Sequence, residues 1–133
     1  MIGRLAAGPP TVLGMPDVPS PEAVKSLVRT VIEHAPVEVQ APLRSQADYI
    51  EYVSGPVTMM QLRVTGECAP ASGVASPVPG GPSVVDAEGN DIGLLLLWLD
   101  KAGFIDCLEY GWVTDDMPTE LPNPSQVRHF HRS

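Results

Sequence analysis

Between Pro21 and Ala35 the apolar residues Ala23, Val24, Leu27, Val28, Val31 and Ile32 recur at helical spacing, while Glu22, Lys25, Arg29 and Glu33 fall largely off that stripe. The spacing predicts an amphipathic helix. Ser20 has the chemistry of an N-cap, Pro21 suits the first helical position, Glu22 complements the positive end of the helix dipole, and Pro36 stops the helix. Such a stripe requires a sheet or another helix to cover.

After Pro36 the period shortens to two. "VEVQA" at 37–41 reads as a short strand, and "ADYIEYVSGPVTMMQLRVT" as a hairpin turning at Ser54-Gly55-Pro56. In its second arm Met60, Leu62 and Val64 alternate with Gln61, Arg63 and Thr65, the pattern of a sheet with one dry and one wet face. "SVVDAEGNDIG" reads as a strand end with a tight turn at Glu88-Gly89-Asn90-Asp91. A second hairpin follows, with arms Leu94 to Asp100 and Phe104 to Val113 around Lys101-Ala102-Gly103.

The first arm of that hairpin has no polar side. Leu94, Leu96 and Trp98 point to one face and Leu95, Leu97 and Leu99 to the other, so both faces call for cover. Regular alternation in the second arm places Phe104, Asp106, Leu108, Tyr110 and Trp112 on one face, and Ile105, Cys107, Glu109 and Val113 on the other. One helix covers one face. The candidates for the second lid are the segment 66–82, the tails, or another copy of the chain.

Together these elements predict an α+β fold, with one N-terminal amphipathic helix on an antiparallel sheet of about four to five strands built from hairpins. Pro and Gly, 15 and 12 in number, cluster at Gly8–Pro21, Gly66–Pro82 and Met117–Pro124 and so mark loops and tails. The expected organisation is a flexible segment over 1–20, a single domain over 21–122 with a long surface loop at 66–82, and a tail over 123–133. Met15 is a candidate alternative start.

Composition narrows the function classes. The chain has 133 residues, 44% hydrophobic and 18% charged, which is enough for one packed core. Its 16 acidic against 8 basic residues give a net charge of -8, which repels a phosphate backbone, so no nucleic-acid partner is expected. The run Leu94 to Leu99 falls far short of the roughly 20 apolar residues of a membrane span, so no membrane partner is expected either. "MIGRLAAGPPTVLGMPD" is too broken by Gly and Pro for a signal peptide. Cys68 and Cys107 lack a C-x-x-C spacing and read as free thiols of a cytoplasmic protein, with a single bridge between them left open.

No motif rises to a reaction. Asp106 and Glu109 are read onto opposite faces and so cannot serve one reacting bond as a pair. "DAEGND" is rich in oxygen ligands, but Gly89 is fourth and Leu97 twelfth where an EF-hand needs Gly sixth and Glu twelfth. It reads as a polar hairpin tip. His129 and His131 in "HFHRS" resemble a two-ligand metal fragment, yet no Cys or carboxylate is near them in sequence, and they read as a frayed tail. His34 ends the first helix, where a partial positive charge suits the dipole. No G-x-S-x-G elbow surrounds any Ser, and "PGGPS" has prolines where a phosphate cradle needs free N–H groups. Neither cofactor nor metal is expected, and catalysis is less expected than binding.

The stretch "VVDAEGNDIGLLLLWLDKAGFIDCLEYGWVTDDMPTELPNPSQV" resembles a pattern in small uncharacterised proteins of high-GC, actinobacterial-type bacteria. The shared features are an acidic-Gly turn, an apolar strand, a Gly turn, an "LE" strand with aromatics and an LP-x-P ending. The resemblance covers roughly the last third and implies no activity. In such relatives the first hairpin carries a Cys/Gly-rich turn, whereas "YVSGPVT" here has no cysteine, so no thiol or metal role carries over to that turn.

The function expected from size and charge is a non-enzymatic protein-interaction module, acidic and bacterial, of the immunity or antitoxin kind, meeting a protein partner or a second copy. The alternative is a small-ligand binder or enzyme. Its pocket would lie between the 66–82 loop and the face formed by Phe104, Asp106, Leu108, Tyr110 and Trp112.

Overall fold

A computed structural model describes residues 19–129. The first helix, α1, spans Pro21–Glu33, with Ser20 as N-cap accepting from the Ala23 N–H at 3.1 Å. Val24, Leu27, Val28, Val31 and Ile32 are all buried, each contributing roughly 1.5–3 kcal/mol against exposure. Met15 and the expected flexible segment, apart from Pro19 and Ser20, lie outside the described residues.

Residues 37–41 are not a strand but the first turns of a second helix, α2, Val37–Ala47. Val37 and Val39 suggest a strand by composition, yet Leu43, Gln46 and Ala47, three and four positions apart, form a buried helical stripe that outweighs local propensity. Pro42 lies inside this helix and removes one backbone hydrogen bond. The helix survives because its packing against α1 and the sheet substitutes for propensity.

Six antiparallel strands follow: β1 (Ile50–Ser54), β2 (Met59–Val64), β3 (Ser83–Val85), β4 (Asp91–Leu99), β5 (Ile105–Trp112) and β6 (Val127–Arg128). Their order across the sheet is β1-β2-β5-β4-β3-β6. The expected α+β arrangement is therefore present, with two helices instead of one and six strands instead of about four to five, the two-residue β6 among them. Residues expected as a tail enter the sheet instead: a 3-10 turn at Pro124–Gln126, capped by Asn123, delivers Val127 into the core beside Val84.

Both tight turns around β4 are organised by an aspartate. Asp86 Oδ1 accepts from the N–H groups of Glu88 and Asn90 at 3.0 and 2.9 Å, and Asp100 Oδ1 accepts from Ala102, Gly103 and Phe104 at 3.0, 3.0 and 2.9 Å. Backbone N–H groups thus engage Asp86 in the oxygen-rich "DAEGND" stretch, which is a hairpin tip.

The long segment 66–82 has no helix or strand, but it does not wander. It lies along the part of β4 that the short β3 leaves unpaired. Leu95 N–H donates to the Pro82 carbonyl at 2.9 Å, Val78 N–H to the Leu97 carbonyl at 2.8 Å, and Leu99 N–H to Ser76 Oγ at 2.8 Å. These bonds close an edge that would otherwise expose backbone groups.

A single buried side chain ties three parts of the fold together. Gln46, fully buried in α2, donates from Nε2 to the Gly103 carbonyl at 2.9 Å and the Ala69 carbonyl at 3.1 Å, and its Oε1 accepts from the Ile105 N–H at 2.8 Å. Helix, long segment and β4–β5 turn meet there. Gly103 is required at that point, since its φ is +98° and a Cβ would come within 2.9 Å of the Ala71 carbonyl oxygen. Replacing Gln46 by Leu orphans the Ile105 N–H in a dry site and is expected to cost about 3 kcal/mol. Urea unfolding checks this, with exposed Ser45→Ala on the same helix expected within about 0.5 kcal/mol of wild type.

Candidate functional site: the open face of the sheet

The two helices cover one face of the sheet, where Met60, Leu62, Leu95, Leu97, Ile105, Leu108 and Tyr110 are buried with α1 and α2. On the opposite face Leu94, Leu96 and Trp98 are half-buried and stand outside that core. The alternation read along β4 is thus correct in both directions. Of the expected lids among the described residues, the 66–82 segment extends the sheet sideways, and the C-terminal segment packs Leu121 into the helix-side core with its 3-10 turn against α1. Among the described residues no element covers the far face; the N-terminal tail lies outside the described residues.

Cross-strand register fixes which side chains share the open face. Trp98 lies opposite Cys107, Leu96 opposite Glu109, Gln61 opposite Cys107 and Met59 opposite Glu109. The Trp98 indole N–H donates to Glu109 Oε1 at 2.9 Å, and Cys107 Sγ lies 3.3 Å from Met59 Sδ. Farther along, Arg63 pairs with Glu51. The result is an apolar and sulfur-rich surface with the Glu109 carboxylate set within it, between Met59 and Leu96.

A bulge corrects the alternation expected for β5. Leu99 pairs with Ile105 while Trp98 pairs with Cys107, so one extra residue, Asp106, enters the strand. Ile105 therefore faces the helices with Leu108 and Tyr110. Asp106 is turned to the open side, where its Oδ1 accepts from Gln61 Nε2 at 2.9 Å, so it shares that face with Glu109 instead of opposing it. Bulges leave no mark on side-chain chemistry, which is why simple alternation misses this one.

The five residues singled out in sequence are consequently split. Leu108 and Tyr110 are buried beneath the helices at 1% and 4% exposure, where no ligand reaches them, and Trp112 lies exposed at the end of β5. Phe104 and Asp106 come together with Gln61, Arg63 and Asp100 in a groove of about 440 Å³ at the β4–β5 turn end of the sheet. Gly66 is the one residue of the long segment that lines it. The groove thus differs from the pocket expected between that segment and an aromatic face. Leu94, Leu96, Met59 and Gln61 were not among the expected site residues, although the apolar alternation of β4 already carried the signal for the two leucines.

Cys68 and Cys107 are free thiols; Cys68 lies near the Ser45 carbonyl of α2 and Cys107 on the open face. Burial, with the negative charges of Asp106 and Glu109 adding to it, pushes the Cys107 thiol above its ordinary pKa. That is opposite to what a nucleophilic cysteine needs. Burial likewise raises the Tyr110 hydroxyl, and backbone hydrogen bonds, led by that from Asn90, lower the Asp86 carboxyl.

Among the described residues no group of three or more His, Cys, Asp or Glu is placed to hold a metal ion, and no helix is long and apolar enough to cross a membrane. His129, expected in a frayed tail, instead contacts the His34 ring at the end of α1. Comparison of the chain with family models, with curated proteins and with solved structures yields no match.

Alkylation of Cys107 by iodoacetamide is expected to be slow at neutral pH and to accelerate only at a pH higher than an ordinary exposed thiol requires. The double substitution Asp106→Asn with Glu109→Gln removes both flanking charges and moves that onset to lower pH. An onset unchanged by the double substitution contradicts the electrostatic part of this assignment.

Proposed function

We propose that the chain is a non-enzymatic protein-interaction module that receives a partner on the open face of its sheet. The observation that carries the reading is the row Leu94, Leu96 and Trp98, half-buried on the face opposite the helices and outside the core. A row of that kind, bordered by polar groups, is the usual composition of a docking centre and its rim. Glu109 within that surface and Asp106 beside it make the face acidic, in keeping with the net charge of -8. The partner it suits presents apolar side chains together with Lys or Arg. Small size and acidic charge are the analogy that places such a module with the immunity or antitoxin kind, and the free thiols fit a reducing cytoplasm.

A second reading is favoured by the groove around Phe104, Asp106, Gln61 and Arg63, which offers an aromatic face, a carboxylate, an amide and a guanidinium to a small polar ligand.

Native mass spectrometry of the chain gently purified from its own cells separates the two. The interaction reading expects a defined heteromer that is lost on Leu96→Glu, kept on Phe104→Ala, and weakened by added salt. A monomer carrying a small adduct that Phe104→Ala removes would replace it with the ligand reading. A bare monomer, or a homodimer alone, contradicts the proposed heteromer.

A further inference from the structure

Neither reading uses the contact between His34 and His129. These residues are 95 positions apart, and their rings meet edge to face with centroids 4.5 Å apart and an interplanar angle of 72°. Both ends of the contact are held by the fold. His34 is the C-cap of α1, its N–H donating to the Val31 carbonyl at 3.0 Å. Its own carbonyl lies against Gly80, where φ is +89° and a Cβ would come within 2.4 Å of that oxygen, so only glycine lets the long segment pass. His129 directly follows β6, which is paired with β3.

The two Nδ1 atoms are 3.3 Å apart. At that separation one neutral ring can donate to the other when only one Nδ1 carries a proton. The same separation matches the edge of a tetrahedron whose corners lie about 2.0–2.1 Å from its centre, which is about 3.3–3.4 Å for imidazole nitrogens on zinc. Imidazole is a ligand for zinc, copper and nickel and a poor one for magnesium or calcium. Glu33, next to His34, is near enough to act on the charge of its ring.

We infer that His34 and His129 form a two-imidazole site for a divalent transition-metal ion, with both Nδ1 atoms as ligands and water in the remaining positions. With two protein ligands the site is exchangeable. Its effect is to tie the end of the helical layer to the outermost strand of the sheet, so that the C-terminal segment is fastened where β6 is too short to hold it by backbone bonds alone.

The test is calorimetric titration of the full chain, free of any polyhistidine tag, with zinc, nickel and magnesium chlorides, together with thermal unfolding. One zinc or nickel ion per chain is expected, with a melting temperature that rises with ion concentration and no response to magnesium. His34→Asn and His129→Asn should each weaken binding by more than about tenfold, whereas His131→Asn should leave it unchanged. Broadening of the His34 and His129 ring signals by nickel in the wild-type chain gives a readout that needs no variant. Absence of stoichiometric binding, indifference to His34→Asn, or loss on His131→Asn alone would overturn the site, the last assigning the ion to the C-terminal run.

Discussion

A strand that is apolar on both faces must find two covers or leave one face to something else. Leu94 to Leu99 impose that constraint here. The helix-facing set, Leu95, Leu97 and Leu99, is buried with α1 and α2. The other set, Leu94, Leu96 and Trp98, remains half-buried on the far side. The position of β4 at the middle of the sheet, the placement of both helices on one side and the proposed docking role of the other side all follow from how this strand is satisfied.

Its edge posed a separate problem, because β3 is only three residues long while β4 has nine. The Pro- and Gly-rich segment solves it without being a strand, by donating and accepting at Ser76, Val78 and Pro82. Gln46 then locks that segment and the β4–β5 turn to α2 through three hydrogen bonds made inside the core. A buried amide with its donors and acceptor engaged specifies one geometry far more sharply than a leucine of similar volume. The helical layer, the sheet and the loop are therefore set in register by polar contacts, while apolar burial supplies the bulk of the stabilisation.

The parts of this arrangement that were legible in the sequence are those carried by periodicity. The stripe of α1, its Ser20 cap, the two hairpins and the two-faced character of β4 can all be read from residue spacing. What escaped depended on contacts distant in sequence. α2 was hidden because the buried stripe of Leu43, Gln46 and Ala47 includes a polar residue whose partners are at 69, 103 and 105. Val37 and Val39 meanwhile supplied a false strand signal. The bulge at Asp106 was invisible because side-chain chemistry does not announce an inserted residue, and it reversed the expected faces of Asp106 and Ile105. The C-terminal residues looked like a tail since two residues of strand leave no periodic trace.

The two faces of β4 differ in their cover, and solvent paramagnetic relaxation of leucine methyl signals reads that difference residue by residue. With a soluble paramagnetic agent, the methyl groups of Leu94 and Leu96 should relax strongly in the isolated chain while those of Leu95 and Leu97 stay protected. Equal protection of all four would contradict the open face and with it the proposed docking surface.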